Sequence, residues 1–196
     1  MGIEDLYGDF LSETSEAYYA WIGKELNPAL QEGNGSLEML VGVDQAAEYP
    51  IGFRPIVDFF SELRPESVAR EWLRKAQAPD NALQIMVDKG DLAVIRPHDD
   101  RLESLRGVRL QPNGRLVVSD DGTMAIAPYV PSVPEHEIDS NIRLLLFSEQ
   151  ISDLPGTITY VAQSFSVEIE SIRQSLYHYL PLLLAGKYAF FLHEEV

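Results

Sequence analysis

Apolar residues recur along this chain with two periods, three to four residues at its ends and two in its middle. Ile3, Leu6, Tyr7, Phe10 and Leu11 keep helical spacing, and beyond Ser12 the residues Ala17, Tyr18, Trp21, Ile22 and Leu26 continue it, so the pattern predicts an N-terminal helical pair. Asn27-Pro28 ends the pair, and Gln31 to Ser36 reads as a loop. Leu37 to Val43 is apolar, and Val41-Gly42-Val43 is poor helix material, which favours a strand. After a turn bracketed by Pro50 and Pro55, the residues Ile56, Val57, Phe59, Phe60 and Leu63 predict a short helix that Pro65 stops. Pro65-Glu66 opens another, with Val68, Trp72 and Leu73 as its apolar face and Arg70, Arg74 and Lys75 facing away.

From Leu83 the period shortens. Leu83 to Val87, Leu92 to Ile95, Val108 to Leu110, Arg115 to Val118 and Thr123 to Ala127 read as successive strands. Asp88-Lys89-Gly90-Asp91, Pro112-Asn113-Gly114 and Asp120-Asp121-Gly122 have the composition of tight turns, so an antiparallel meander is expected. Pro128, Pro131 and Pro134 with Glu135, Glu137 and Asp139 form an extended acidic connector, and Ile142 to Phe147 is a short helix or strand.

Helical spacing returns in the stretch from Thr157 to Phe191. Ile158, Val161, Ala162 and Phe165 give one face, Ser166-Val167 interrupts it, and Ile169, Ile172 and Leu176 with Tyr179 or Leu180 resume it. Thr157 and Ser166 suit the two N-caps, and Leu183 to Phe191 reads as strand, glycine turn, strand. On Val161, Ala162, Phe165, Val167 and Ile172 the segment resembles the winged helix-turn-helix superfamily; Ser166, where many members carry Gly, and Ser175, where an apolar residue is usual, depart from its pattern. The resemblance implies a winged-helix-like unit with Val167 to Leu180 as recognition helix. The same residues also suit a helical hairpin in a C-terminal core.

The fold class expected is therefore α+β: N-terminal helices, a central antiparallel β-meander and a C-terminal winged-helix-like unit, divided into residues 1–130 and an acidic connector with helical unit over 131–196. With 45% hydrophobic residues in 196, a core can form without cross-links, and the absence of cysteine excludes disulfides and thiol catalysis. No apolar run reaches the roughly 20 residues of a membrane-spanning helix, and Met1 leads into Gly2-Ile3-Glu4-Asp5 rather than a basic then apolar signal, so a cytoplasmic protein without membrane association is expected.

Net charge narrows the partners. It is −16 overall, and Lys and Arg against Asp and Glu give −9 over residues 1–50, −1 over 51–130 and −6 over 131–196. Such a chain repels phosphate backbones and attracts basic protein surfaces. Within Thr157 to Phe191 the only charged residues are Glu168, Glu170, Arg173 and Lys187, which cancel.

Catalytic patterns are sparse. His98-Asp99-Asp100 and Glu135-His136-Glu137 lack metal-ligand spacing, no G-x-S-x-G elbow or phosphate-cradling glycine loop is present, and Asp120-Asp121 beside Gly122 suits a turn better than an acid–base pair. Tyr177, His178 and Tyr179 lack the interleaved Lys and Arg of a base-stacking surface, so the tyrosines are expected to pack in the core and the histidine to face solvent. No cofactor is expected. The function expected is a non-enzymatic regulatory or adaptor protein, such as an acidic inhibitor or immunity-type protein, that binds a basic protein partner through Glu168, Glu170, Arg173 and Tyr177, with Glu4, Asp5, Asp9, Glu13 and Glu16 as further acids to meet it. The alternative is a winged-helix DNA-binding transcription regulator, which this charge disfavours.

Overall fold

Tyr18–Trp21 forms a strand, β1, in which four consecutive residues are buried. The computed structural model describes residues 16–26, 36–97, 99, 101–118, 122–129, 132–148 and 152–194; the predicted helix over Ile3 to Leu11 lies outside them. The helix expected through Ala17, Tyr18, Trp21 and Ile22 is not formed. β1 instead pairs antiparallel with β6 (Leu92–Ile95) on one edge and with β5 (Arg64–Pro65) on the other. The reason is burial on both faces. Tyr18 and Ala20 enter a larger apolar cluster, whereas Tyr19 and Trp21 enter a smaller one, and along β6 Ala93 and Ile95 follow the first pair while Leu92 and Val94 follow the second. A strand covered on both sides reads as an unbroken apolar run, without the alternation that betrays a half-exposed strand.

The smaller cluster is roofed by β3 (Ser36–Leu40), α1 (Arg54–Phe60), α2 (Glu66–Lys75) and α3 (Ala82–Asp88), which contribute Leu37, Met39, Val57, Phe60, Ala69, Leu73, Leu83 and Met86. β3 sits between β2 (Lys24–Glu25) and β4 (Ala46–Pro50) in an antiparallel sheet. Pro55 lies in the first turn of α1, where its missing N–H costs nothing. At the start of α2 the Ser67 N–H donates to the Glu16 carboxylate, a negative group at the positive end of a helix. Val68 is exposed, and Ala69 with Leu73 forms the buried face of α2. Arg70 and Lys75 pair with Glu66 and Glu71 one turn back, each at 2.7 Å.

α3 corrects a second expectation. Leu83 to Val87 was expected as a strand because Leu, Ile and Val alternate, yet Leu83 and Met86 are the buried residues, three apart, and Ile85 is exposed. Both periods fit so short an apolar run.

The larger cluster is walled by β7 (Val108–Pro112), β9 (Met124–Pro128), α4 (Ser140–Phe147), α5 (Leu154–Phe165), α6 (Ile169–Ala185) and β11 (Ala189–His193), and it joins residues from Tyr18 to Phe191. β8 (Gly114–Val118) pairs antiparallel with β9, and β9 with β10 (His136–Glu137), so the two strands expected on either side of Asp120-Asp121-Gly122 do pair; Asp120 and Asp121 lie outside the described residues. The continuous meander does not hold. β7 pairs with β11 rather than β8, and Pro112-Asn113-Gly114 is a crossing between two sheets instead of a hairpin turn. Buried Asn113 fixes that crossing: its N–H donates to the Tyr188 carbonyl (2.7 Å), its Nδ2 to the Lys187 carbonyl (2.8 Å), and its carbonyl accepts from the Tyr129 N–H (3.0 Å). The chain is thus mixed α and β with several small antiparallel sheets. No helix among the described residues is long and apolar enough to cross a membrane.

Gly114 allows the crossing to close, because a Cβ there would fall well inside contact with the Ala127 carbonyl. Gly114→Ala is expected to lower stability by about 1–3 kcal/mol through backbone displacement. Urea unfolding measures it, and an unchanged midpoint would rule out the close approach.

Candidate functional site

The C-terminal helical pair is held from below by polar links and from within by apolar packing. α5 starts at Leu154 with Asp153 as its N-cap, whose carboxylate accepts from the N–H of Gly156 (3.0 Å) and of Gly107 (3.1 Å). Thr157 is not the cap. It is buried one turn in, donating from Oγ1 to the Ser152 carbonyl at 3.1 Å. Leu154, Ile158, Val161 and Ala162 pack inward from α5 against Ile172, Leu176, Leu180 and Leu183 of α6.

Both departures from the winged-helix pattern have local causes. Ser166 ends α5 in the left-handed conformation (φ 54°), where glycine is the usual occupant, and caps no helix with its side chain. Ser175 donates to Asp139 Oδ2 at 2.7 Å, and Asn141 Nδ2 donates to the hydroxyls of Ser171 (2.9 Å) and Ser175 (3.1 Å). A hydroxyl at 175 therefore fastens α6 to the N-terminal turn of α4. The expected wing is absent from this segment: Leu183 to Ala185 is the last turn of α6, Gly186 is its C-cap, and β11 pairs with β7.

Of the four residues expected to meet a partner, Glu168 and Glu170 are exposed at the start of α6. Arg173 is turned back on its own helix, with its side chain 11% exposed and Nη1 2.8 Å from Glu170 Oε2. Gln174 donates to the other Glu170 oxygen at 3.2 Å. Tyr177 lies against the larger cluster and donates to the Arg96 carbonyl at 3.2 Å, away from the acids. Tyr179 packs there too, and His178 is exposed, its ring edge-on to Tyr179. The structure thus gathers Glu168, Glu170 and Arg173 at one end of the pair and leaves Tyr177 in the body.

Two residues expected in the core stand at that same end. Phe165 is 49% exposed and Ile169 47% exposed, on either side of the turn between the helices. Helical spacing assigns both to the inner faces, but at the turn the left-handed Ser166 swings the chain so that they clear the packed region. The tip therefore carries two large apolar side chains flanked by Glu168 and Glu170.

In the other acidic and histidine clusters, Asp99 and His136 make local contacts. Asp99 accepts from the N–H groups of Ser104 (2.8 Å) and Arg101 (3.3 Å); burial alone would raise its carboxyl, but these hydrogen bonds outweigh it and hold it below the ordinary range. His98 and Asp100 lie outside the described residues. His136 sits in β10 against the rings of Tyr188 and Tyr179. Among the described residues no three His, Asp or Glu side chains converge as metal ligands would.

No protein-family model matches the chain, and neither a curated protein nor a solved structure matches it.

Ser166→Gly isolates the geometry of the tip. A left-handed non-glycine residue costs roughly 1–2 kcal/mol, partly offset by the greater freedom glycine loses on folding. The substitution is expected to raise stability by about 0.5–1 kcal/mol in thermal unfolding, and a decrease would contradict the strained turn.

Proposed function

We propose that this is a non-enzymatic regulatory or adaptor protein of the cytoplasm that binds a basic protein partner through the tip of the α5–α6 pair, as an acidic inhibitor or immunity-type protein would. The observation that carries this reading is the exposure of Phe165 and Ile169 beside Glu168 and Glu170. Apolar anchors desolvate on entering a partner's pocket and supply most of the affinity, while the flanking acids select a cationic rim and speed encounter. A net charge of −16 extends that steering over the whole molecule.

Duplex DNA is the poorer partner. A recognition helix needs cations along two rows of phosphates. Here the first turns of α6 carry Glu168 and Glu170, and Glu170 engages Arg173. Among the described residues, the strand that follows α6 pairs with β7 instead of forming the hairpin arm that a winged-helix protein lays on the backbone.

Two measurements test the proposal together. Phe165→Glu is expected to weaken a partner captured from the native host by about ten-fold or more, equivalent to 1.4 kcal/mol, with unfolding unchanged. Random and host-promoter duplexes are expected to bind no tighter than about 10 μM at physiological salt in fluorescence anisotropy. Equal capture by wild type and variant, or tight and salt-sensitive duplex binding, would reverse the conclusion.

A further inference from the structure

Beyond β1 the chain leaves the partition between the two clusters, and a cleft of about 350 Å³ opens there, against β2, α1, the end of α6 and β11. Its walls include Met39 and Val57 from the smaller cluster and Leu184 and Phe190 from the opposite side. Ligand sites favour such junctions, with a mostly apolar lining and a few polar groups that fix orientation.

Trp21 and Lys24 stand at its wall. Trp21 is 4% exposed and lines the cleft, and its indole N–H has no acceptor among the described residues. That nitrogen is itself closed to solvent, and what Trp21 offers the cleft is its ring. Gly23 is the adjacent wall: a Cβ there would come within 3.4 Å of that nitrogen and 3.1 Å of the Leu40 carbonyl. Its φ of 130° is also one that other residues resist.

The second group is the Lys24 ammonium. It donates to Asn113 Oδ1 at 2.6 Å and lies 5.3 Å over the Phe190 ring, and it forms no ion pair among the described residues. An ammonium has three donors, so two remain. Burial pushes its pKa down, as expected of a cation short of a counter-ion. Asn113 also grips the Lys187 carbonyl, holding a second lysine at the cleft in the left-handed conformation (φ 57°). Of the two acids at the cleft, Glu25 is neutralised by a forked pair with Arg54 (2.5 and 3.2 Å), leaving exposed Asp58. In a chain this acidic, the cleft is a local exception.

We propose that this cleft binds a small amphipathic monocarboxylate, its acid group taken by the Lys24 ammonium and its apolar body laid against Met39, Leu184 and Phe190. A carboxylate supplies both the acceptors and the counter-ion that this ammonium lacks, and the apolar walls favour a ligand with a body over a bare ion. The site is separate from the α5–α6 tip and stands whatever partner that tip meets.

The test uses the full chain and calorimetric titration with straight-chain monocarboxylates from butanoate to decanoate, the matching primary alcohols and inorganic phosphate. Trp72→Phe leaves Trp21 as the single tryptophan for a parallel fluorescence titration, since the chain has two. The expected result is saturable binding of at least one carboxylate with a change in Trp21 emission, its alcohol and phosphate being about ten-fold weaker or more. Lys24→Gln is expected to remove that preference for acid over alcohol; should it not fold, Lys24→Met is expected to do the same. Saturable binding by no carboxylate, equal binding of acid and alcohol, or tighter binding of phosphate would each overturn the proposal.

Discussion

Everything else in this fold is arranged around two adjacent strands that have no exposed face. β1 and β6 pair from Tyr18↔Ile95 to Trp21↔Leu92, and each successive pair points to the opposite cluster. With the period of a strand fixed at two, a slip of one residue would exchange the contents of both clusters, placing Tyr19 and Trp21 where Tyr18 and Ala20 belong. The register is therefore specified from both sides. The strand's polar backbone is paired along β6, where the Ile22 N–H extends the ladder by donating to the Asp91 carbonyl at 2.9 Å, and β5 takes Tyr18 and Tyr19 on the other edge.

β11 repeats the arrangement at the other end of the sequence. One edge pairs with β7, and on the other the Gly23 N–H donates to Phe191 (2.8 Å) while the His193 N–H donates to Val41 (2.8 Å). The segment leaving β1 and the end of β3 are thereby bound to the same strand that closes the larger cluster. The cleft beside Lys24 is the space left where these elements diverge, and Asn113 braces its floor from the crossing between sheets.

Legibility in the sequence followed the kind of burial. α1, α2 and β6 to β9 were readable because prolines and glycines punctuate them and one period dominates each. β1 was not, since residues buried on both faces present no alternation, and Tyr18, Trp21 and Ile22 then mimic a helical stripe. The end of α6 was misread for an energetic reason. Pro181 opposes a helix by about 3 kcal/mol, but Leu182, Leu183 and Leu184 beyond it are all buried, and each contributes about 1.5–3 kcal/mol by leaving water. At the candidate site, the acids of the first turn of α6 were legible as exposed. Phe165 and Ile169 were not, because spacing reports which face a residue shares and carries no sign of where two helices part. The cleft left no sequence signal at all: Trp21, Lys24, Asn113 and Lys187 meet only through the crossing at Gly114 and the turn after α6.

The shared sheet makes both clusters one cooperative unit. Phe60 of the smaller cluster and Ile142 of the larger are fully buried, and Trp21 and Trp72 both report on the smaller. Urea unfolding of Phe60→Ala and of Ile142→Ala, followed at once by tryptophan fluorescence and by far-ultraviolet circular dichroism, measures that cooperativity. Each substitution should lower a single midpoint seen identically by both probes, by an amount corresponding to about 2–5 kcal/mol. A fluorescence transition that stays in place when Ile142 is truncated, while the dichroism transition moves, would contradict it.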